Sequence, residues 1–227
     1  LITLGESENV KVEAEKLYLT DKKYDNAKLT LKAAEAKRQR VLDLIAKAKP
    51  DKAYNIDALF IGRINEAKGI YDMLNVIKKV KKTIPNFQLA IMGNGDNTTE
   101  KSFKDKVLEA GLKDNIRFIG FKTGQEKFNI IKSSKIFLFL SKTESVPIAP
   151  LEAVCSGLKT LVYDLDAYNM YENDEVIRFK RNDYASIADR VVSIFKKRDF
   201  GNKAGEQLLY KYSWDIISKK ELDTFIH

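Results

Sequence analysis

The sequence predicts an α/β protein built around a doubly wound parallel sheet. The apolar, aromatic-rich run Ile136–Leu140 is bounded by polar residues and therefore fits a strand buried on both faces. Similar apolar runs alternate with segments of helical periodicity along most of the chain, as expected for successive βαβ units. Glycines such as Gly62, Gly93 and Gly120 follow several of these runs, where a chain leaving a strand has to turn.

Each predicted element follows from a local pattern. Apolar residues at helical spacing, including Leu74 and Ile77, predict a helix from Ile70 to Thr83, which Pro85 ends. Pro150 is tolerated in a first helical turn, so a helix is expected from about Ile148 to Gly157. The remaining predicted helices are Thr99–Ala110, Gly124–Lys132 and Tyr184–Arg198, and the predicted strands are Ile56–Gly62, Phe87–Met92, Ile116–Ile119, Ile136–Leu140, Thr160–Tyr163 and Val176–Phe179.

The first fifty residues have a different character. Leu1–Leu4 predicts a short strand, Val10–Leu19 a helix, and residues 21–49 one or two charged helices with a narrow apolar stripe. Residues 22–49 carry nine Lys or Arg against three Asp or Glu, and we interpret them as a solvated helix on a domain surface or between domains. The alternative is a non-catalytic binding module that uses this helix as a basic arm for nucleic acid or an anionic membrane. Apart from Tyr24 the segment lacks aromatic residues, which disfavours binding to single-stranded nucleic acid.

The amino-acid composition limits which partners and which kinds of catalytic or metal site are expected. A formal net charge of +8 and a pI near 9.3 favour anionic partners. The single cysteine, Cys155, excludes an internal disulfide and fits a reducing, cytoplasmic compartment. The only histidine is the terminal His227, so neither a Cys–His or Ser–His catalytic pair nor a histidine metal site is supported. No stretch approaches the roughly twenty apolar residues of a membrane span.

Two carboxylates frame the loop and helix after the run Ile136–Leu140. Glu144 lies in the loop and Glu152 in the first turns of the next helix. Free backbone N–H groups at that helix end can bind phosphate oxygens, and the carboxylates can accept hydrogen bonds from sugar hydroxyls. Such a site suits a nucleotide sugar. The alternative is that Glu144 is a loop charge and Glu152 only favours the helix N-terminus.

The spacing of Glu144 and Glu152, followed by Ala153 and a small-residue stretch ending at Gly157, resembles the E-x7-E signature of retaining GT-B glycosyltransferases of family 4, also called glycosyl transferases group 1. In that family the first Glu faces the donor sugar, the second binds the nucleotide ribose, and backbone amides between them contact the diphosphate. The family usually has Gly-Phe-Gly after the first Glu, whereas this chain has residues 145–147, Ser-Val-Pro. Because Pro147 has no N–H, Ile148 and Ala149 are the better amide candidates.

A second motif, Gly62-Arg63-x4-Lys68-Gly69, is similar to the family's donor-phosphate motif. A guanidinium and an ammonium at one strand-end crevice would neutralise a diphosphate and stabilise the charge that develops as the sugar leaves. The resemblance implies catalytic roles for Arg63, Lys68 and Glu144. It also implies donor-binding roles for Gly62, Gly93, Gly95, Lys122, Lys127, Val146, Ile148, Ala149 and Glu152.

Several of these positions have plainer interpretations. Gly93-Asn94-Gly95 lacks the third glycine of a dinucleotide fingerprint, so NAD binding is not expected, and its glycines could serve only a tight turn. Lys122 and Lys127 follow a family hallmark, residues 118–120, and align with residues that contact the nucleobase. Either could instead be a solvated lysine. Residues 212–215, Tyr-Ser-Trp-Asp, resemble a structural element of the family's last helix.

The resemblance implies a Rossmann-like domain that binds a UDP or GDP sugar without a metal or other cofactor. We expect three parts: residues 1–53, a helical extension or remnant of the N-terminal GT-B domain; residues 54–212, the donor-binding domain; and residues 213–227, a helix returning toward the partner domain. We expect a fragment that is inactive alone and needs its acceptor-binding domain. The intact hexosyltransferase would act at the cytoplasmic face of a membrane on a lipid-linked acceptor. The enzymatic alternative is a GT-B phosphorylase-like or sucrose-metabolising enzyme.

Overall fold

A computed structural model describes residues 36, 39–169 and 175–201. Residues 47–207 group into one compact unit, and the other unit comprises residues 1–46 with 208–227, of which only residue 36 and the helical segment 39–46 are described. The expected strand and helix of residues 1–19 and the motif at 212–215 lie outside the described residues, as does most of the basic segment 22–49. The three-part domain division therefore stays a prediction.

The compact unit contains a six-stranded, all-parallel sheet, which confirms the predicted α/β class and the doubly wound, Rossmann-like architecture. The strand order across the sheet is β3-β2-β1-β4-β5-β6, so β1 pairs with both β2 and β4. In chain order the strands are β1 Ile56–Ile61, β2 Leu89–Met92, β3 Ile116–Gly120, β4 Ser134–Phe139, β5 Lys159–Tyr163 and β6 Val176–Phe179.

Five α-helices connect or follow these strands: α1 Ile70–Val80, α2 Asn97–Glu109, α3 Gly124–Lys132, α4 Ile148–Cys155 and α5 Tyr184–Lys197. Helix α1 packs against α5 and α2. Two 3-10 turns lie at Glu66–Lys68 and Asp166–Tyr168. Among the described residues, no helix combines the length and apolarity needed to cross a membrane.

The core is the central part of the sheet. Phe137, Leu138 and Leu140 are fully buried, as are Leu59 and Phe60 of the neighbouring strand β1. Each such side chain contributes roughly 1.5–3 kcal/mol when it leaves water. Apolar side chains on successive strand positions are therefore covered on both faces of the sheet, which explains why the strand sequences are continuous rather than alternating.

Most element boundaries lie within one or two residues of the expected ones, and the differences at β2 and α1 have clear local reasons. Strand β2 begins at Leu89 rather than Phe87, because the backbone N–H of Phe87 bonds Ile84 O in a turn. Helix α1 ends at Val80 rather than Thr83, because Thr83 N donates to Val80 O and so leaves the i→i−4 pattern.

A buried carboxylate ties three elements together. Asp72, in the first turn of α1, is 6% exposed and accepts hydrogen bonds from the hydroxyls of Tyr163 at 3.0 Å and Tyr184 at 3.0 Å. The helix N-terminus and the two phenols supply the partners that a buried charge requires. This network joins α1 to β5 and α5 close to the carboxyl edge of the sheet, and so helps to fix the start of α1 behind the loop that precedes it.

Candidate functional site

The strand order creates a crevice between the carboxyl ends of β1 and β4. From β1 the chain continues to β2 and β3 on one side, whereas β4 leads to β5 and β6 on the other. Open α/β sheets bind ligands at such a reversal of strand order. The loop after β1 contains the Arg63 and Lys68 motif, and the loop after β4 contains Glu144. Both predicted charged groups therefore lie at the same reversal.

Backbone contacts fix the loop after β1. Its first part bonds the end of β2 and the following loop, since Gly62 N donates to Met92 O at 3.0 Å and Ile64 N to Asn94 O at 3.0 Å. The Asn65 side chain accepts from Lys68 N at 3.0 Å and so caps the 3-10 turn that carries Lys68. The position of the Lys68 backbone is thus set by local hydrogen bonding.

Glycines permit close approach between these loops. A Cβ on Gly93 would lie 1.9 Å from Gly62 O, and one on Gly95 would lie 2.5 Å from Ile64 O. Gly69 has a φ of +72°, and a Cβ there would lie 1.9 Å from Leu140 O at the end of β4. Only hydrogen therefore fits at Gly69, Gly93 and Gly95, whereas a Cβ on Gly62 would approach the Phe60 ring at 3.0 Å.

The loop after β4 is anchored on the loop after β1. Lys142 N donates to Ala67 O at 2.8 Å, and the buried Ser141 hydroxyl lies 3.3 Å from the same Ala67 O. These bonds hold the start of the loop against the 3-10 turn. As a result, Glu144, two residues after Lys142, faces Lys68.

Lys68 and Glu144 form an ion pair of 2.5 Å between Nζ and Oε1. Their side chains are 22% and 9% exposed, so the pair is largely screened from water. The Lys68 ammonium also lies 5.6 Å from the centroid of the Phe139 ring, a favourable cation–π contact. A cation and a carboxylate held together can contact the phosphate and the sugar of one donor.

Arg63 occupies the same loop but has a different environment. Its side chain is exposed, and it forms no ion pair with any residue in the described ranges. Its guanidinium can therefore reorient toward an anion without breaking an existing ion pair to that part of the chain.

Helix α4 begins with few available backbone donors. Pro147 has φ −78° and ψ 76°, the geometry of an inverse γ-turn, and Ile148 N donates to Val146 O at 3.0 Å. Pro150 has no N–H, so Ala149 is the first-turn residue whose amide makes no backbone bond within the described residues. Of the two amides predicted to contact phosphate, that of Ala149 is therefore the better donor. The Val146 and Ile148 side chains are 36% and 51% exposed.

The second predicted carboxylate is paired on a different helix. Glu152 of α4 forms a short ion pair with Lys127 of α3, and the two side chains are 14% and 19% exposed. Lys122 instead pairs with Glu126 at 2.7 Å, and this hydrogen bond raises the pKa of Lys122. The structure thus brings Lys68 to Glu144 and Lys127 to Glu152, and leaves Lys122 in a separate pair at the start of α3.

Cys155 does not contribute reactive chemistry. It is buried one turn after Glu152, and burial together with the charge of Glu152 raises the pKa of the thiol to about 12. A thiol of that acidity is protonated at neutral pH and is a poor nucleophile. This agrees with the sequence interpretation of Cys155 as a packed structural residue.

A groove elsewhere on the surface is not part of this site. It lies between α1 and α2, has a volume of about 630 Å³, and is lined in part by Tyr71, Lys78 and Glu109. None of the site residues predicted from the sequence lines it. We therefore place the candidate site at the β1–β4 crevice, where the charged motifs converge.

Sequence reasoning missed the partners that organise the site. It did not pair Lys127 with Glu152, because the two lie on separate helices and only the packing of α3 beside α4 brings them together. It also missed Ser141 and Lys142, whose anchoring bonds go to Ala67 of the other loop. The one usable signal for Ser141 was a polar residue directly after an apolar strand.

Comparison with known proteins identifies the family to which this chain belongs. The family model for glycosyl transferases group 1 matches residues 42–208. An uncharacterized glycosyltransferase of Methanocaldococcus jannaschii is 29% identical over 173 residues, covering 74% of this chain and 44% of that protein. The GDP-mannose:cellobiosyl-diphosphopolyprenol alpha-mannosyltransferase of Xanthomonas oryzae pv. oryzae is 23% identical over 174 residues, covering 74% and 46%.

Among solved structures, the pneumococcal O-GlcNAc transferase in complex with UDP and GlcNAc superimposes with a TM-score of 0.62 at 15% identity, covering 79% of this chain and 38% of that one. The fold is thus that of the GT-B glycosyltransferases. Because the family model covers most of the chain, the protein belongs to the glycosyl transferases group 1 family. The family resemblance predicted from the sequence is therefore confirmed. The chain spans about half the length of the curated relatives it matches.

Proposed function

We propose that this chain is the donor-binding half of a retaining GT-B hexosyltransferase of family 4. It binds a nucleotide-diphosphate sugar and, together with an acceptor-binding domain, transfers the sugar with retention of configuration. The observation that carries the proposal is the Lys68–Glu144 ion pair, which places a cation and a hydrogen-bond acceptor at the reversal of strand order.

Each group at the crevice has a role in this proposal. Lys68 and the exposed Arg63 hold the diphosphate and stabilise the negative charge that grows on it as the sugar–phosphate bond breaks. The amide of Ala149 donates a further hydrogen bond to a phosphate oxygen. Glu144 accepts hydrogen bonds from donor-sugar hydroxyls, and Glu152 accepts them from the ribose.

The same proposal gives the glycines a role and expects donor binding without a metal. Gly62, Gly93 and Gly95 let the loops after β1 and β2 approach each other and shape one wall of the cleft. Two side-chain cations offset much of the diphosphate charge, which is the task of a divalent ion in metal-dependent transferases. We therefore expect donor binding to persist in a chelator.

The nucleotide and the acceptor are proposed at the level of class. The names of the similar proteins include a GDP-mannose donor and a UDP complex, so UDP and GDP are the first nucleotides to test. The Xanthomonas protein's name includes a diphosphopolyprenol acceptor. Together with the net charge of +8, this supports a lipid-linked acceptor and peripheral association with the cytoplasmic face of a membrane.

Isothermal titration calorimetry of the 227-residue chain with UDP, GDP and ADP in the presence of EDTA tests the proposal. We expect weak, saturable binding of at least one of the three, and weaker binding by Arg63→Ala. No heat with any of them, together with an Arg63→Ala variant that behaves like the parent, would refute donor binding. Hydrolysis or transfer of a sugar by this chain alone would contradict the assignment as a half-enzyme.

A further inference from the structure

The Lys127–Glu152 pair differs from the neighbouring Lys122–Glu126 pair. It links two helices, α3 and α4, and both side chains are mostly buried at 19% and 14% exposure. The Lys122–Glu126 pair, by contrast, joins residues one helical turn apart, and the Glu126 side chain is 52% exposed. An inter-helix pair with little solvent access can fix a side chain in place, whereas an exposed pair contributes little.

The Lys127 side chain is itself restrained. Its ammonium lies 5.3 Å from the centroid of the neighbouring Phe128 ring, and Phe128 is buried. The buried Phe128 ring therefore restrains the Lys127 side chain where it reaches Glu152. The ion pair in turn fixes the orientation of the Glu152 carboxylate, whereas an unpaired glutamate rotates about three side-chain bonds.

Removing the ammonium from Glu152 would be costly in this setting. A carboxylate at 14% exposure that loses its cation is desolvated without compensation, which favours a different rotamer with more access to water. If Lys127 instead turned to a nucleobase, Glu152 would lose its cation while still largely shielded from water. The ammonium is thus better assigned to the carboxylate than to the base.

We infer that Lys127 is a positioning residue that holds the Glu152 carboxylate in one orientation, aimed at the ribose, and so sets a preference for ribonucleotides over 2′-deoxyribonucleotides. The inference rests on the proposed function, in which Glu152 accepts hydrogen bonds from the ribose hydroxyls. A correctly aimed carboxylate can accept from both the 2′ and 3′ hydroxyls. A misplaced one loses the 2′ contact, and the 2′ hydroxyl then adds nothing to binding.

The test compares each nucleoside diphosphate with its 2′-deoxy analogue by calorimetry on the full chain. We expect the parent to bind the ribonucleotide about tenfold more tightly than the deoxy form, as for one hydrogen bond to a charged group. Lys127→Met should reduce that ratio to about twofold or less, and Lys127→Arg should restore most of it.

Lys104→Met is the matched control, because Lys104 also pairs with a glutamate, Glu100, and also lies over a ring, Phe118, but on helix α2. It should keep the parent's ratio. Should thermal unfolding show that Lys127→Met is not folded, the same comparison with Lys127→Gln decides the matter, since this variant keeps a polar group but removes the charge.

The outcomes separate the two proposals. An unchanged ratio in Lys127→Met, or equal weakening of both ligands as expected for a base or phosphate contact, overturns the role of Lys127 and leaves donor binding intact. Absence of binding to any nucleoside diphosphate by the parent overturns both.

Discussion

Lys68 Nζ and Glu144 Oε1 lie 2.5 Å apart although 76 residues separate them in sequence. The pair joins the loop after β1 to the loop after β4, the two strands between which the sheet reverses its order. A lysine ammonium has three N–H donors but only one positive charge. A phosphate oxygen that binds Lys68 therefore has to share that charge with Glu144 or displace the carboxylate. The carboxylate therefore competes with the diphosphate for the same cation.

This competition predicts an unusual effect of Glu144→Gln. Removing the negative charge should tighten binding of a nucleoside diphosphate that carries no sugar by roughly fivefold, about 1 kcal/mol, since the pair is partly exposed and screened. Calorimetry measures the change. Asp57→Asn serves as the control, because Asp57 pairs with Lys135 at 2.5 Å at the opposite edge of the sheet. Unchanged or weaker binding by Glu144→Gln would argue against the competition.

A second prediction concerns the close approach of the two loops at Gly69. Gly69→Ala combines a left-handed backbone with a Cβ placed 1.9 Å from Leu140 O, so the loops must separate. Gly111→Ala is the matched control, since Gly111 has a similar φ of +66° but open space around it, and should cost only about 1–2 kcal/mol. We expect Gly69→Ala to lose about 3 kcal/mol or more in urea unfolding. Equal losses would show that the contact is not tight.

A third prediction follows from the buried Asp72 network. Tyr163→Phe removes a hydrogen bond to a buried carboxylate and should lower the free energy of unfolding by about 2 kcal/mol at neutral pH. Tyr71→Phe is the control, because the Tyr71 ring contacts Phe103 edge-on and the Lys106 ammonium, and phenylalanine keeps a ring for both contacts. Denaturant titration of the two variants measures the difference. If both lose the same amount, the Asp72 bond contributes nothing.

The same residue predicts an alkaline limit to stability. Burial, and secondarily the Asp72 charge, raises the pKa of Tyr163, so the folded state keeps a phenolic proton that the unfolded chain releases near pH 10. The contribution of Tyr163 to stability is thus complete below pH 10 and lost as the pH rises beyond it. Between pH 8 and 11, the free energy of unfolding should fall less steeply with pH for Tyr163→Phe than for the parent. Parallel curves would contradict the prediction.

The sheet and most of the site residues could be predicted because their signals are local. Continuous apolar runs such as the one ending at Phe139 report burial on both faces, and the order of elements then gives strand ends on one edge. Strand β4 nevertheless begins at the polar residue Ser134, because Ser134 pairs with Ile56 of the adjacent strand β1. Hydrophobic pattern alone carries no information about that pairing.

The details of the site depend on contacts that no local pattern encodes. The amide of Ile148 is used by Val146 because Pro147 adopts a γ-turn, and several other turn conformations suit the same residues. The partner of Glu152 is Lys127, on another helix, so only the packed structure reveals it. Residue types predicted the chemistry of the site, whereas tertiary packing determines which groups remain available.

The location of the phosphate site is tested most directly by comparing Lys68→Met with Lys135→Met. Both lysines form a 2.5 Å ion pair across strands β1 and β4 and contact aromatic rings, but Lys135 lies at the amino edge of the sheet. In calorimetry with the nucleoside diphosphate that binds best, we predict that Lys68→Met loses about tenfold or more in affinity while Lys135→Met binds like the parent. Equal affinities of the two variants, or a loss confined to Lys135→Met, would contradict a donor site at the carboxyl edge.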